Sequence, residues 1–169
     1  DYEVAALSLE ASGQYKVLRQ LPQPPIIPTF SLPIHRGLFV DVETTGLDAR
    51  QDEIIQIAMV PFVYDANGVI GMGQPFTGYR DPPVPIPEKI TKLTGIDDLT
   101  VAFQSINPNE IADLARGVDV VVAHNAKFDR CFLERFCPEF VTLPWACSMS
   151  QIPWDEEGFE GAKLPYLLM

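Results

Sequence analysis

The middle of the chain alternates short apolar segments with turn signals, a pattern typical of β-strands. Residues 37–42 (GLFVDV) and 53–64 (EIIQIAMVPFVY) are apolar segments of strand type. An Asn-Gly turn signal at 67–68 precedes a third segment of this kind, residues 69–79. Because the connections between them are short, the three segments predict an antiparallel meander.

The second half of the chain alternates predicted helices with one predicted strand. Helices are predicted from about Glu88, over 107–115 and over 124–136, the last with Asn125 as its N-cap. Residues 118–123 (VDVVVA) are a β-branched run typical of a strand buried on both faces. The whole pattern predicts an α/β or α+β domain with one mixed sheet flanked by helices.

The two ends of the chain depart from this pattern. Residues 1–20 predict at most a short helix interrupted at Ser12-Gly13, and the proline-rich segment 21–33 excludes a helix or a central strand. We therefore expect an N-terminal extension and linker over 1–36 and a domain over 37–169. The final LPYLLM starts a helical pattern with no cap, so we expect the chain to stop before the domain's last helix.

Composition and charge narrow the classes of protein. Hydrophobic residues make up 47% of the chain, which is typical of a globular domain. A net charge of -11 argues against a broad basic surface that wraps duplex nucleic acid, although bound divalent cations can reverse the field locally. The three cysteines have no CxxC spacing, and no signal peptide or membrane-spanning segment is visible. We expect a cytoplasmic protein without a membrane partner.

Two carboxylates, Asp41 and Glu43, are the first candidates for chemistry. They are two residues apart on a predicted strand, so they share one face, and their mutual repulsion favours a bound cation. Oxygen ligands of this kind suit the hard cations Mg²⁺ and Mn²⁺. The following Thr-Thr-Gly supplies hydroxyls, backbone donors and a turn that could seat a phosphate or a terminal sugar. The alternative is a solvent-facing acidic pair on a half-buried strand.

Asp129 is the second candidate, because it falls just past the first turn of a helix that follows a predicted strand. A helix in this position directs its first turn towards the rim of the sheet where α/β folds place their sites. The alternative for Asp129 is an ordinary first-turn acid. His124 is interpreted as a packing or supporting residue.

The segments DVETTGLD and AHNAKFD, with IPEKITKLTGI between them, resemble the DEDD superfamily of 3′→5′ exonucleases. They are most similar to the proofreading epsilon-subunit type of DNA polymerase III, and the resemblance runs from about Gly37 to the end of the chain. It implies a ribonuclease H-like mixed sheet, in which an antiparallel meander is joined by a parallel strand. It also implies two Mg²⁺ or Mn²⁺ ions and the following site residues: Asp41, Glu43 and Asp129 as catalytic metal ligands, and Thr44, Thr45, Gly46, Leu47, Asn125 and Phe128 as substrate-binding residues.

The chain departs from this family at its third motif, which carries a general-base histidine or tyrosine and a fourth acid. No histidine follows His124, and the acids of WDEEGFEG lie in a glycine-punctuated stretch. The segment KLPYLLM resembles the helix that precedes this motif, so we expect the missing pair beyond Met169.

The resemblance implies hydrolysis of the terminal phosphodiesters of single-stranded or frayed DNA 3′ ends, with release of nucleoside 5′-monophosphates. An RNA-directed exonuclease of the same superfamily is one alternative. A non-catalytic nucleic-acid-binding module that retains the fold is the other. The resemblance leaves a polymerase partner open.

Overall fold

The computed structural model describes residues 2–15, 17 and 34–167. Within them, a six-stranded mixed sheet is arranged in the order β3-β2-β1-β5-β6, with β4 also paired to β2. The bounds are β1 (His35–Thr44), β2 (Ile54–Asp65), β3 (Gly68–Met72), β4 (Phe76–Tyr79), β5 (Val120–Ala123) and β6 (Trp145–Cys147).

The direction of the strands agrees with the predicted architecture. The strands β1, β2 and β3 form the predicted antiparallel meander. The strand β5 lies parallel to β1, on the side of β1 away from β2. The predicted single strand over 69–79 is wrong, because residues 73–75 separate it into β3 and β4. Pro75 has no N–H for a ladder, and β3 and β4 pair with different parts of β2.

Two details of the parallel edge also differ from the prediction. The strand β5 alternates, with Val121 and Ala123 buried and Val120 and Val122 half-buried, so it is not buried on both faces. The three-residue strand β6 was not predicted, and it lies parallel to β5 with Ala146 opposite Val122. A segment this short has too few residues to show a period of two.

The helices are α1 (Tyr2–Ala11), α2 (Glu88–Thr94), α3 (Asp98–Val101), α4 (Pro108–Ala115), α5 (Ala126–Phe136), α6 (Leu164–Leu167) and a 3-10 helix (Pro138–Thr142). The predicted helices at 88, 107–115 and 124–136 are therefore confirmed. None of the helices in the described ranges is both long and apolar enough to span a bilayer.

The start of α5 confirms the predicted N-cap position but not a capping side chain. Asn125 occupies the N-cap position, but its backbone is left-handed (φ 68°, ψ 46°) and its side chain accepts no capping hydrogen bond. A capping side chain needs an extended backbone, which Asn107 has at the start of α4. There the Asn107 side chain accepts from the Asn109 N–H at 3.0 Å.

The described residues group into two compact units, one over 34–151 and a smaller one made of 2–17 and 152–167. In the smaller unit, α1 ends where Ser12-Gly13 was predicted to interrupt it, and Gly13 has a positive φ of 69°. The predicted proline-rich segment 21–33 and the last two residues of the chain lie outside the described residues.

In the larger unit, α4 and α5 pack against the sheet in one core cluster, while Ile90 of α2 and Val101 of α3 belong to a second cluster with Ile55 of β2. The β1 side chains Leu38, Val40 and Val42 are buried in a core that also contains Ile111 of α4 and Phe132 of α5. Because side chains alternate along a strand, Phe39, Asp41 and Glu43 belong to the opposite face. The alternation of β1 therefore separates the core from the candidate chemistry.

Gly37 gives a test of this sheet. A Cβ added there would overlap the Phe62 ring, which lies over the glycine from the neighbouring strand. We expect Gly37→Ala to lower the free energy of unfolding by roughly 1–3 kcal/mol, as overpacking does, in chemical denaturation. The control is Gly161→Ala, where an added Cβ meets nothing. Equal effects of the two substitutions would contradict the packing of Phe62 on Gly37.

Candidate active site

The acidic pair lies near the end of β1, on the face away from the helical core. Asp41 is exposed and Glu43 is half-buried. Partial burial of its carboxylate raises the pKa of Asp41, and burial followed by the negative charge of Asp41 raises the pKa of Glu43. Burial and mutual repulsion therefore disfavour the two negative charges, and a bound cation would stabilise them.

Asp129 comes from α5 and is only 3% exposed. Its Oδ1 accepts a hydrogen bond from the backbone N–H of Val42 at 3.1 Å, and Val42 stands between Asp41 and Glu43. Burial first, and then the charge of Asp41, raise the pKa of Asp129 to about 7, while the bond from Val42 opposes the shift. The structure thus places the Asp129 carboxyl against the backbone between Asp41 and Glu43, close enough for both of their charges to act on its pKa.

The register of the sheet explains why Asp129 lies against β1. The strand β5 pairs with β1 only as far as Phe39, which lies opposite Val122, so β1 extends beyond its parallel neighbour. The edge of β1 past Phe39 has backbone groups without a strand partner on that side. The helix that follows β5 places Asp129 against this edge, where it accepts from Val42.

Past Glu43, a β-bulge interrupts the ladder, and the chain enters the Thr-Thr-Gly-Leu turn. Thr44 and Thr45 are both buried. The Thr44 hydroxyl donates to the Gly46 carbonyl, and the Thr45 hydroxyl accepts from the Glu53 N–H at 2.9 Å. The predicted substrate hydroxyls are thus used inside the loop, and within the Thr-Thr-Gly-Leu turn Leu47 is the exposed residue, at 84%.

A cleft of about 610 Å³ lies between this loop and α5. Its lining includes three of the predicted substrate-binding residues, Leu47, Asn125 and Phe128, together with Lys127. The Phe128 ring packs against Phe132 with centroids 5.0 Å apart, which anchors it to the core. In the described part of the chain, none of the three carboxylates lines this cleft.

His124 occupies the turn between β5 and α5. Its Nδ1 lies 2.9 Å from the Ser148 hydroxyl, and its Nε2 is buried without a hydrogen-bond partner among the described residues. This placement agrees with a supporting role. Ser148 was not foreseen, because nothing in the sequence links it to a residue 24 positions earlier.

The sequence also gave no signal for a set of ion pairs around Glu53. Its carboxylate pairs with Arg80 at 2.7 Å and with Arg135 of α5 at 3.2 Å. The three residues come from distant parts of the chain, so no local motif could identify them. They fasten the start of β2 to the helix that supplies Asp129.

The chemistry of the carboxylates fits a divalent cation, because all three ligands are hard oxygen donors and their burial and repulsion disfavour the unneutralised charges. Across the described ranges, however, no three His, Cys, Asp or Glu side chains already converge in an arrangement that could hold an ion. Side-chain adjustment would have to accompany metal binding at Asp41, Glu43 and Asp129.

The acids predicted to fall outside helices do so. Asp155, Glu156 and Glu157 lie in turns and are exposed, and Glu160 lies in a bend. They therefore do not supply a fourth acid on a helix. The helix α6 confirms the helical pattern predicted for LPYLLM over its described residues, Leu164–Leu167.

Several curated proteins are similar in sequence to part of this chain. A DNA polymerase III PolC-type protein of Caldanaerobacter subterraneus is 40% identical over 104 residues, which cover 58% of this chain and 7% of the relative. The DNA polymerase III subunit epsilon of Treponema pallidum is 37% identical, with coverage of 55% and 42%. A ribonuclease T of Haemophilus influenzae is 32% identical, with coverage of 58% and 50%. The chain spans half or less of the length of these curated relatives.

Solved structures show the same fold. Exonuclease X in complex with 5′ overhanging duplex DNA matches with a TM-score of 0.55 and 25% identity, over 78% of this chain and 70% of that one. Exonuclease I without ligand matches with a TM-score of 0.60 and 18% identity, over 79% and 36%. The latter match is a likeness of fold alone, and it confirms the ribonuclease H-like α/β architecture.

The sequence profile of the Exonuclease family matches residues 38–153. The matched segment begins on β1, includes all three carboxylates and both sides of the cleft, and covers more than half of the chain. The chain therefore belongs to the Exonuclease family.

Proposed function

We propose that this protein is a 3′→5′ exonuclease that hydrolyses the terminal phosphodiesters of single-stranded or frayed DNA ends and releases nucleoside 5′-monophosphates. The observation that carries the proposal is the hydrogen bond from the Val42 N–H to Asp129, which seats a third carboxylate beside Asp41 and Glu43. Membership of the Exonuclease family supports the same reaction class. A nucleic-acid end as substrate also fits the cytoplasmic location expected from the sequence.

Asp41, Glu43 and Asp129 would hold the divalent cations of this reaction, for which we propose two Mg²⁺ or Mn²⁺ ions. When bound, such ions neutralise the carboxylates, activate water and stabilise charge on the phosphate. The chain itself contributes the backbone of β1, the buried position of Asp129 and a set of carboxylate oxygens, the ligand type that hard cations prefer.

The terminal nucleotide would enter the cleft between the loop and α5. Leu47 is exposed there and offers an apolar surface to a base, while Phe128 and Asn125 form the other side. A base can reach these residues only after it leaves its stack, which favours a single-stranded or frayed end. The buried Thr44 and Thr45 would support the loop that presents Gly46 and Leu47.

We favour DNA over RNA, because the similar relatives include DNA polymerase III proteins and the similar exonuclease X structure contains DNA. The epsilon-subunit relative also motivates a polymerase partner as part of this proposal. The ribonuclease T relative supports RNA as the second candidate substrate. The absence of a histidine after His124 motivates the other alternative, a non-catalytic module that binds nucleic acid.

Asp41 gives the direct test of activity. We expect Mg²⁺- or Mn²⁺-dependent shortening of a 5′-labelled single-stranded DNA, and we expect Asp41→Ala to lower the rate by at least about a hundredfold, since it removes a proposed ligand of the cations that would stabilise charge on the reacting phosphate. A denaturing gel reports the products. The full-length protein is the sample for the main assay, and the present 169 residues, which lack the third-motif histidine, are expected to be nearly inactive.

The matched control is Asp113→Ala, which removes an exposed acid of α4 that pairs with Arg116. This variant should keep wild-type activity. Binding of the oligonucleotide without shortening would favour the non-catalytic module. Preference for an RNA of the same sequence would favour the second candidate substrate. Full activity of the 169 residues alone would show that the expected downstream pair is not needed.

Asp129→Asn tests the electrostatics of the site without a nuclease assay. The amide oxygen can still accept from the Val42 N–H, but the buried negative charge is lost. Because the pKa of Asp129 is raised to about 7 in the fold from 3.8, the wild type loses stability as the pH rises between these values. In EDTA at about pH 8, we expect the free energy of unfolding of the variant to exceed that of the wild type by on the order of 2 kcal/mol.

The same measurement includes two internal controls. The difference between the proteins should vanish at about pH 3, below both pKa values, where the carboxyl is protonated in the folded state and largely so in the unfolded state. Added Mg²⁺ should stabilise the wild type more than Asp129→Asn, because only the wild type has the full set of carboxylates. A variant that is less stable than the wild type at about pH 8 in EDTA would contradict the repulsion inferred for this site.

A further inference from the structure

The loop between β1 and β2, residues 45–53, is closed by a compact set of hydrogen bonds. The Thr45 N–H donates to the Glu53 carbonyl at 2.9 Å, which joins the two ends of the loop. Within it, the Asp52 N–H donates to the Asp48 carbonyl at 2.8 Å. The loop carries Leu47 to the cleft, so its shape decides where that exposed side chain lies.

The Asp52 carboxylate lies at the centre of this loop. Its Oδ2 accepts from the Asp48 N–H at 2.8 Å, and its Oδ1 lies 3.4 Å from the Thr45 hydroxyl, which donates to it. That hydroxyl in turn accepts from the Glu53 N–H. One side chain therefore ties together the residues that flank Gly46 and Leu47 on both sides.

Gly46 shows how closely this carboxylate approaches the main chain. A Cβ added at Gly46 would overlap the carboxyl carbon and both oxygens of Asp52. The φ of Gly46 is not in the left-handed region, so the backbone itself would accept an alanine. The three atoms nearest to the added Cβ all belong to Asp52, so this side chain is the first obstacle to a larger residue at position 46.

The loop is also fastened to α5, the helix that supplies Asp129. An Arg135 guanidinium N–H donates to the Asp52 carbonyl, and the same guanidinium pairs with Glu53. Asp52 is thereby held from both directions, by its carboxylate on the loop side and by its carbonyl on the helix side. The helix α5 therefore both holds the loop and carries Asp129.

We propose that Asp52 is a positioning residue for the terminal nucleotide, which fixes the main chain of Gly46 and Leu47 at the mouth of the cleft. This inference rests on the proposed exonuclease function of that cleft. Asp52 contacts Thr45, Asp48 and the Gly46 main chain, and its effect on substrate passes through Leu47.

Stability of the fold does not by itself account for this arrangement. Leu47 is 84% exposed, so holding it in place buries little apolar surface. A loop that is ordered before binding lowers the entropic cost of binding, and that gain appears only when a ligand packs on Leu47. The set of bonds around Asp52 therefore suits a loop that is held ready for a ligand in the cleft.

Steady-state kinetics on the full-length enzyme test the proposal. With a single-stranded DNA substrate, we expect Asp52→Ala to raise KM by about tenfold, the effect of a ~1.4 kcal/mol loss in binding, while kcat falls less. Asp52→Asn keeps one acceptor oxygen and should recover part of the KM. The stabilisation by Mg²⁺ should equal that of the wild type, because Asp52 is not among the proposed metal ligands.

A double-mutant cycle tests the contact itself. Gly46→Ala should lower the melting temperature and raise KM in the wild-type background, because its new methyl displaces the Asp52 carboxylate. In the Asp52→Ala background the space is free, so the same substitution should have little further effect. Strong non-additivity in both readouts is the expected result.

The outcomes separate this inference from the proposed function. An active wild type whose KM is unchanged in Asp52→Ala, or a cycle that is additive, overturns the positioning role alone. If the wild type binds the oligonucleotide without cleaving it, the same variants are compared by Kd measured with a fluorescent oligonucleotide, and an unchanged Kd overturns the role. A wild type that neither cleaves nor binds the oligonucleotide overturns both.

Discussion

The hydrogen bond from the Val42 N–H to Asp129 joins the strand and the helix that form the site. It exists because β1 is longer than β5, so that the backbone of β1 beyond Phe39 needs a partner from somewhere other than a strand. A carboxylate satisfies that need and is buried in doing so. Burial first, and then the charge of the neighbouring Asp41, raise the pKa of Asp129 to about 7, although the hydrogen bond from Val42 stabilises its charged form. The folded protein therefore contains a repulsion between the charges of Asp41 and Asp129, which a bound cation would relieve.

The second half of the site depends on the same helix. At its start α5 supplies Asp129, and near its end Arg135 pairs with Glu53 and reaches the loop that presents Leu47. A displacement of α5 would therefore change the carboxylate cluster and the loop together. Such a common frame suits a reaction in which the phosphate and the terminal nucleotide must be held at a fixed distance from each other. The buried hydroxyls of Thr44 and Thr45 stabilise the same loop by hydrogen bonds to its backbone.

The parts of the fold that follow from local physics were predictable from the sequence. The alternation along β1 and β2 identified the acidic face, and the helices α4 and α5 follow from their periodicity. The break between β3 and β4 and the short strand β6 depend on pairing with distant segments, which a local pattern does not encode. The left-handed Asn125 is a similar case, because its backbone is set by the junction of β5 and α5. At the site, the three carboxylates could be named in advance, whereas the ties of Asp52 and Glu53 to Arg135 could not, since they join residues 82 or more positions apart.

The charge of the chain constrains how it can hold a nucleic acid. Two of the three cations that line the cleft in the described part of the chain, Arg50 and Arg135, are paired with Asp48 and Glu53, and Lys127 is the one without an ion pair. With a net charge of -11, long-range attraction to a phosphate backbone is weak. For the proposed exonuclease, binding would therefore depend on contacts at short range: an apolar side chain against a base, and cations between the carboxylates and the phosphate. The contact with a base requires a base that has left its stack, which a single-stranded or frayed end provides.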